Sequence, residues 1–148
     1  MKKIDDILKG KVLFVGIGNE MRGDDGIGPF FVKKGRRLLD DYQFLNVKET
    51  PENYFDKMLE KDIDTLIFVD AVDFNSSPGT IKLFGKDQIV NSSISTHNSS
   101  LKMSINFLKQ FKANLRIFLI GIQPENCQLN NNLSFNVKSS IDRLLDKL

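Results

Sequence analysis

Short apolar runs alternate with stretches of helical periodicity along this chain, and that alternation does most to narrow its fold. Residues 11–16 (KVLFVG), 44–48, 65–70 (TLIFVD), 80–84 (TIKLF) and 115–122 are short and rich in β-branched and aromatic residues, and read as strands. Residues 26–39 carry Ile27, Phe30, Phe31, Leu38 and Leu39 at roughly helical spacing. Thr50-Pro51 reads as an N-cap followed by proline at the first helical position, opening a helix to about Glu60. A further helix over 98–111 would bury Leu101, Ile105, Leu108 and Phe111, and a last one Val137, Ile141, Leu144, Leu145 and Leu148.

Strands alternating with helices predict a three-layer α/β/α sandwich around a mainly parallel five-stranded sheet. Only residues 71–79 separate the third and fourth strands, fewer than a parallel crossover needs, so the fourth is expected antiparallel to the third and the sheet mixed. With 148 residues and no linker or repeat, residues 1–148 are expected to form one domain. Hydrophobic residues at 41% and charged residues at 27% give an ordinary soluble balance rather than a disordered one. A net charge of +2 without a basic stretch interleaved with aromatics gives no footprint for nucleic acid. The longest apolar stretches, such as Ile117-Phe118-Leu119-Ile120, are too short to span a bilayer, and the charged opening is unlike a secretory signal. Cys127, the only cysteine, can form neither an internal disulfide nor a CxxC site, so a reducing cytoplasm is the expected compartment.

In such sheets ligands sit beyond the carboxyl ends of the parallel strands. The first strand empties there into Gly16-Ile17-Gly18-Asn19-Glu20-Met21-Arg22-Gly23-Asp24-Asp25-Gly26-Ile27-Gly28, the third ends at Asp70, and the fifth runs into Gln123-Pro124-Glu125. His97, the only histidine, lies just before the helix that leads to the fifth strand. Two carboxylates and an imidazole are thereby expected at one sheet edge. The glycine loop is a poor dinucleotide fingerprint, because Met21 stands at the third glycine and two acids follow where a pyrophosphate would lie. No Walker A, HExxH or GxSxG pattern is present, and one histidine cannot build a three-histidine zinc site.

Gly16-x-Gly18-Asn19, Asp24-Asp25-Gly26-x-Gly28, Val69-Asp70-Ala71, Thr96-His97-Asn98 and Gly121-Ile122-Gln123-Pro124-Glu125 together resemble the nickel–iron hydrogenase maturation endopeptidases, motif by motif and in order. Pro51-Glu52-Asn53 and Asp70-Ala71-Val72-Asp73 followed by Pro78-Gly79 look most like the branch serving formate-hydrogenlyase-type hydrogenases. The resemblance spans about residues 12–125. It implies a phosphorylase/hydrolase-like sandwich and an endopeptidase that removes the C-terminal extension of the hydrogenase large-subunit precursor after nickel insertion. By position it assigns Asp25, Asp70 and His97 as catalytic and metal-holding residues. It further implies that nickel arrives with the substrate, that the free enzyme holds no metal tightly, and that the partner is the large-subunit precursor. Nucleic acid and membrane are not expected as partners, and a monomer is expected. One departure stands out: the loop before Pro51 often carries two glycines in the family, whereas this chain reads Lys48-Glu49-Thr50.

Each of these residues also has a purely structural reading. Asp25 precedes a helix and is placed to cap it; Asp70 is placed to satisfy loop amides. Asp24 is expected to cap or turn the loop and Asn19 to shape the glycine turn, with Asp73 and Glu125 either solvated or at the substrate. Cys127 has no activating base nearby in sequence and is expected to be inert. The chief alternative activity is a non-catalytic nickel-sensing chaperone, and the alternative enzyme a nucleoside-type phosphorylase or hydrolase, for which no phosphate or sugar pocket is evident.

Overall fold

A computed structural model describes residues 3–93, 95 and 97–148. Five strands, β1 Val12–Ile17, β2 Gln43–Lys48, β3 Thr65–Ala71, β4 Ile81–Gly85 and β5 Arg116–Ile122, form one sheet in the order β2-β1-β3-β5-β4. Pairing is parallel throughout except between β4 and β5. Successive side chains of a strand point to opposite faces, so each central strand feeds two cores. Leu13, Val15, Leu66, Phe68, Ile117 and Leu119 face helices α3 (Phe55–Leu59), α4 (Lys86–Asn91) and α5 (Asn98–Phe111). Phe14, Ile67, Val69, Phe118 and Ile120 face α1 (Ile4–Ile7), α2 (Ile27–Leu38) and α6 (Phe135–Asp146). Burial on both sides explains why β1 and β3 are apolar almost without alternation. The expected α/β/α sandwich with a mixed sheet is the observed architecture, and among the described residues no helix is long and apolar enough to cross a membrane.

β4 runs opposite to β3, as its short connection requires, but its hydrogen-bonding partner is β5 rather than β3. The connection passes over the carboxyl end of β5 and is fastened there by Gln123. That side chain accepts from the Phe74 and Ser76 amides at 2.9 and 3.2 Å and donates to Asp73 at 3.0 Å, while its backbone bonds Gly79 and Thr80. Asp73 and Gln123 are thereby occupied in holding the loop. The helix expected from Thr50 to about Glu60 is instead a 3-10 turn, Pro51–Tyr54, leading into α3. Thr50 makes no side-chain cap; its carbonyl accepts from the Asn53 amide at 3.0 Å, the i+3 bond that tightens the turn. α1 and α4 were not legible in the sequence, each being short and burying a single residue, Ile7 and Ile89.

Candidate active site

The carboxyl ends of β1 and β3 are brought within reach of α2 by glycines that cannot carry a side chain. At Gly28 a Cβ would lie 2.2 Å from the Ile17 carbonyl oxygen and 2.6 Å from that of Val69. At Gly18, with φ of 144°, it would lie 1.8 Å from the Asp25 carbonyl oxygen. The chain then turns through the 3-10 segment Gly23–Gly26, which carries two buried carboxylates pointing to different tasks.

Asp24 is the structural one. Its carboxylate accepts from the Glu125, Asn126 and Ser134 amides at 2.9, 3.1 and 2.7 Å and from the Ser134 hydroxyl at 2.6 Å. It thus fastens the segment after β5 against the loop after β1, as backbone bonds from Asp24 to Asn126 and from Asn130 to Met21 also do. Asp24→Asn puts an amide group among donors and leaves some of these unpaired, so it is expected to lower stability by about 2–4 kcal/mol. Urea unfolding measures this, and an unchanged midpoint would remove Asp24 from the structural role.

Asp25, 6% exposed, turns the other way and accepts from the Asn19 amide at 3.0 Å. Asp70, fully buried near the end of β3, accepts from the Ala71 amide at 2.9 Å through Oδ1 and from Ser95 Oγ through Oδ2. His97, immediately before α5, has its amide on Ser95 Oγ at 3.0 Å and its Nδ1 3.1 Å from Asp70 Oδ2. That bond places Nδ1–H against Asp70 and turns Nε2 toward Asp25 Oδ2, 4.0 Å away. Ligand atoms of Asp25, Asp70 and His97 all lie within 4.8 Å of one another. The three residues expected at one sheet edge are together there, drawn from the ends of β1, β3 and the start of α5. Thr96, of the Thr96-His97-Asn98 motif, lies outside the described residues.

The cluster perturbs its own members. Burial favours a neutral ring at His97, but the Asp70 hydrogen bond and charge, then Asp25 and Glu49, outweigh it and raise the imidazole to about 9. Burial raises Asp70 above the usual carboxylate range, against the opposing hydrogen bonds of His97 and Ser95. Burial, then the charges of Asp25, Asp24 and Asp70, push the Cys127 thiol up to about 11, so it stays protonated at neutral pH and is no nucleophile. Imidazole and carboxylate donors in this arrangement suit a borderline divalent ion, and a carboxylate beside such an ion can also take a proton from water.

Two participants were not singled out in the sequence. Ser95 bonds both Asp70 and His97 and fixes their relation. Glu49 Oε1 lies 3.8 Å from His97 Nε2, and its Oε2 lies 3.4 Å from Asn19 Nδ2. The one available sign of Glu49 was its place in the unusual Lys48-Glu49-Thr50 stretch. Glu125 is exposed and offers the site only its backbone amide, to Asp24.

The family model for HycI, hydrogenase maturation protease, matches residues 42–148. A Methanocaldococcus jannaschii protein named for hydrogenase maturation proteolysis is 32% identical over 93% of this chain and 86% of its own length. The hydrogenase 3 maturation protease of Escherichia coli K12 is 28% identical over 89% of this chain and 85% of its own. The crystal structure of the NiFe hydrogenase maturation protease HycI from Thermococcus kodakarensis superposes with a TM-score of 0.86 at 29% identity, covering 97% of this chain and 94% of that one.

Proposed function

Because the chain belongs to the hydrogenase maturation protease family and is thus a maturation endopeptidase, we propose that its substrate is the nickel–iron hydrogenase large-subunit precursor. In this reading it works in the cytoplasm and removes the C-terminal extension once nickel is in place. The observation that carries it is the convergence of Asp25, Asp70 and His97 at the sheet edge. Nickel enters as part of the substrate, and contact with it makes cutting conditional on its insertion. His97 Nε2 and Asp25 Oδ2 meet the ion from the enzyme side, while Asp70 lies within the same reach and holds the ring.

Hydrolysis requires a proton to leave water as its oxygen attacks the scissile carbonyl carbon, and a proton to reach the departing amine as the C–N bond breaks. Asp70 is fully buried and bonded to Ser95, His97 and the Ala71 amide, which suits it to orient rather than to meet water. Asp25 is the carboxylate placed to take the proton from water and return it to the amine. Nickel supports this by orienting the precursor or by polarising the carbonyl, two roles that the same residues serve. Among the neighbouring surfaces, a hollow of about 230 Å³ lined by Gly18, Asn19, Met21, Pro29, Lys48 and Glu49 offers room for the chain leading to the cut.

Purified enzyme incubated with nickel-loaded and nickel-free precursor, followed by product mass, tests the proposal. A defined C-terminal loss from the loaded precursor alone is expected. An unchanged complex would indicate the chaperone activity instead, and equal processing of both forms would remove nickel from the recognition step.

A further inference from the structure

We propose that Glu49 is a fourth, mouth-side donor to the ion, standing across His97 Nε2 from the sheet and determining how firmly the substrate's nickel is engaged. This rests on the reading of the site as one that meets substrate-borne nickel, and it goes beyond the three residues already assigned.

The placement of Glu49 is built by the backbone. The pairing of β1 with β2 shifts register between Gly16 and Ile17, so that Gly16 faces Asn46 while Ile17 faces Lys48, and Val47 is left over as a bulge. Bulges re-aim the residues that follow them. Lys48 then adopts φ of 52°, a left-handed conformation unfavourable for a lysine. It is held there by its amide on Asn46 Oδ1 at 2.9 Å and by its carbonyl, which accepts from the Gly18 amide at 2.8 Å. The combined effect is to swing Glu49 off the strand line and bring its Oε1 to 3.8 Å from His97 Nε2.

Asn19 then links the two carboxylates that flank Nε2. Its amide donates to Asp25 Oδ2 at 3.0 Å, and its side-chain Nδ2 reaches Glu49 Oε2 at 3.4 Å. Glu49 Oε1 is left 3.8 Å from Nε2, close to the 4.0 Å that separates Nε2 from Asp25 Oδ2. Donors sharing one ion through bonds of roughly 2.0–2.2 Å stand at most about 4.4 Å apart, and both separations from Nε2 fall within that span. Among the described residues the group whose ligand atoms all lie within 4.8 Å of one another is Asp25, Asp70 and His97, so Glu49 joins it by moving inward. Asp25 and His97 are nearly buried, whereas the Glu49 side chain is 47% exposed. It is therefore the donor an arriving ion reaches first, and closing on the ion exchanges its long 3.4 Å contact with Asn19 Nδ2 for the metal.

The test is titration of the full-length protein with Ni²⁺ alone, by calorimetry, in the parent and in Glu49→Gln and Glu49→Asp, with circular dichroism as the folding control. Glu49→Gln is expected to bind Ni²⁺ about tenfold or more weakly, and Glu49→Asp to recover part of the loss. Because Glu49 is on the surface, both variants should fold as the parent does. A Glu49→Gln change smaller than about threefold, or no saturable Ni²⁺ binding by the parent up to millimolar concentration, overturns the assignment. Precursor cleavage by the parent is scored separately. A parent that never cuts refutes the protease reading, whereas a parent that cuts while Glu49→Gln binds Ni²⁺ as well as it does refutes this inference alone.

Discussion

Asp25→Asn is expected to slow cleavage of the nickel-loaded precursor by about 10²–10⁴-fold while leaving the fold in place. Asparagine keeps the shape of the side chain, and its carbonyl oxygen can still accept from the Asn19 amide that now bonds Asp25 Oδ2. It loses the negative charge that an ion prefers and the basicity that water activation needs. Asp70→Asn should be impaired for a different reason. The carboxylate accepts from His97 Nδ1 and from Ser95, and an amide nitrogen turned toward the ring would reverse the hydrogen-bond sense that keeps the proton on Nδ1 rather than Nε2. Product mass against time, with circular dichroism as the folding control, measures both effects. Folded Asp25→Asn cutting within a few-fold of the parent would take Asp25 out of the chemistry.

The fold was legible because its signals are local and redundant. Residues 98–111 were expected to form a helix, and α5 is Asn98–Phe111; apolar runs marked all five strands to within a residue or two. An edge with carboxylates and an imidazole was legible because the segments carrying them follow readable elements, and a parallel sheet gathers such ends on one edge; that Asp25, Asp70 and His97 are the three was implied by the resemblance. What escaped was set by tertiary contacts. That β4 pairs with β5 depends on Gln123 pinning the connection from β3, a contact across some fifty positions of sequence. Asp24 was expected to cap or turn its own loop, and only the fold shows that it instead fastens the distant 125–134 segment. Glu49 was hidden for the same reason: a bulge and a left-handed Lys48 decide its direction, and neither leaves a compositional mark.

Engagement of the nickel-loaded precursor should strengthen with rising pH well beyond the range of an ordinary histidine. To bind the ion, His97 must offer a neutral Nε2, so a protonated ring has to release its proton first. A reference imidazole titrates near ~6.5, and binding governed by it would level off around neutrality. Here the hydrogen bond and charge of Asp70, with Asp25 and Glu49, raise the ring to about 9 despite its burial. The sign follows directly: below about 9 the proton competes with the ion, so affinity should climb by roughly tenfold per pH unit from about pH 6 and flatten only near 9. His97→Ala should bind the loaded precursor more weakly and lose that slope. Asp70→Asn, which removes the largest source of the upward shift, should move the break back toward the ordinary value. Precursor binding measured across a pH series decides the matter. A parent curve already flat at neutrality, or a folded His97→Ala that keeps the parent's slope, would show that His97 does not meet the nickel.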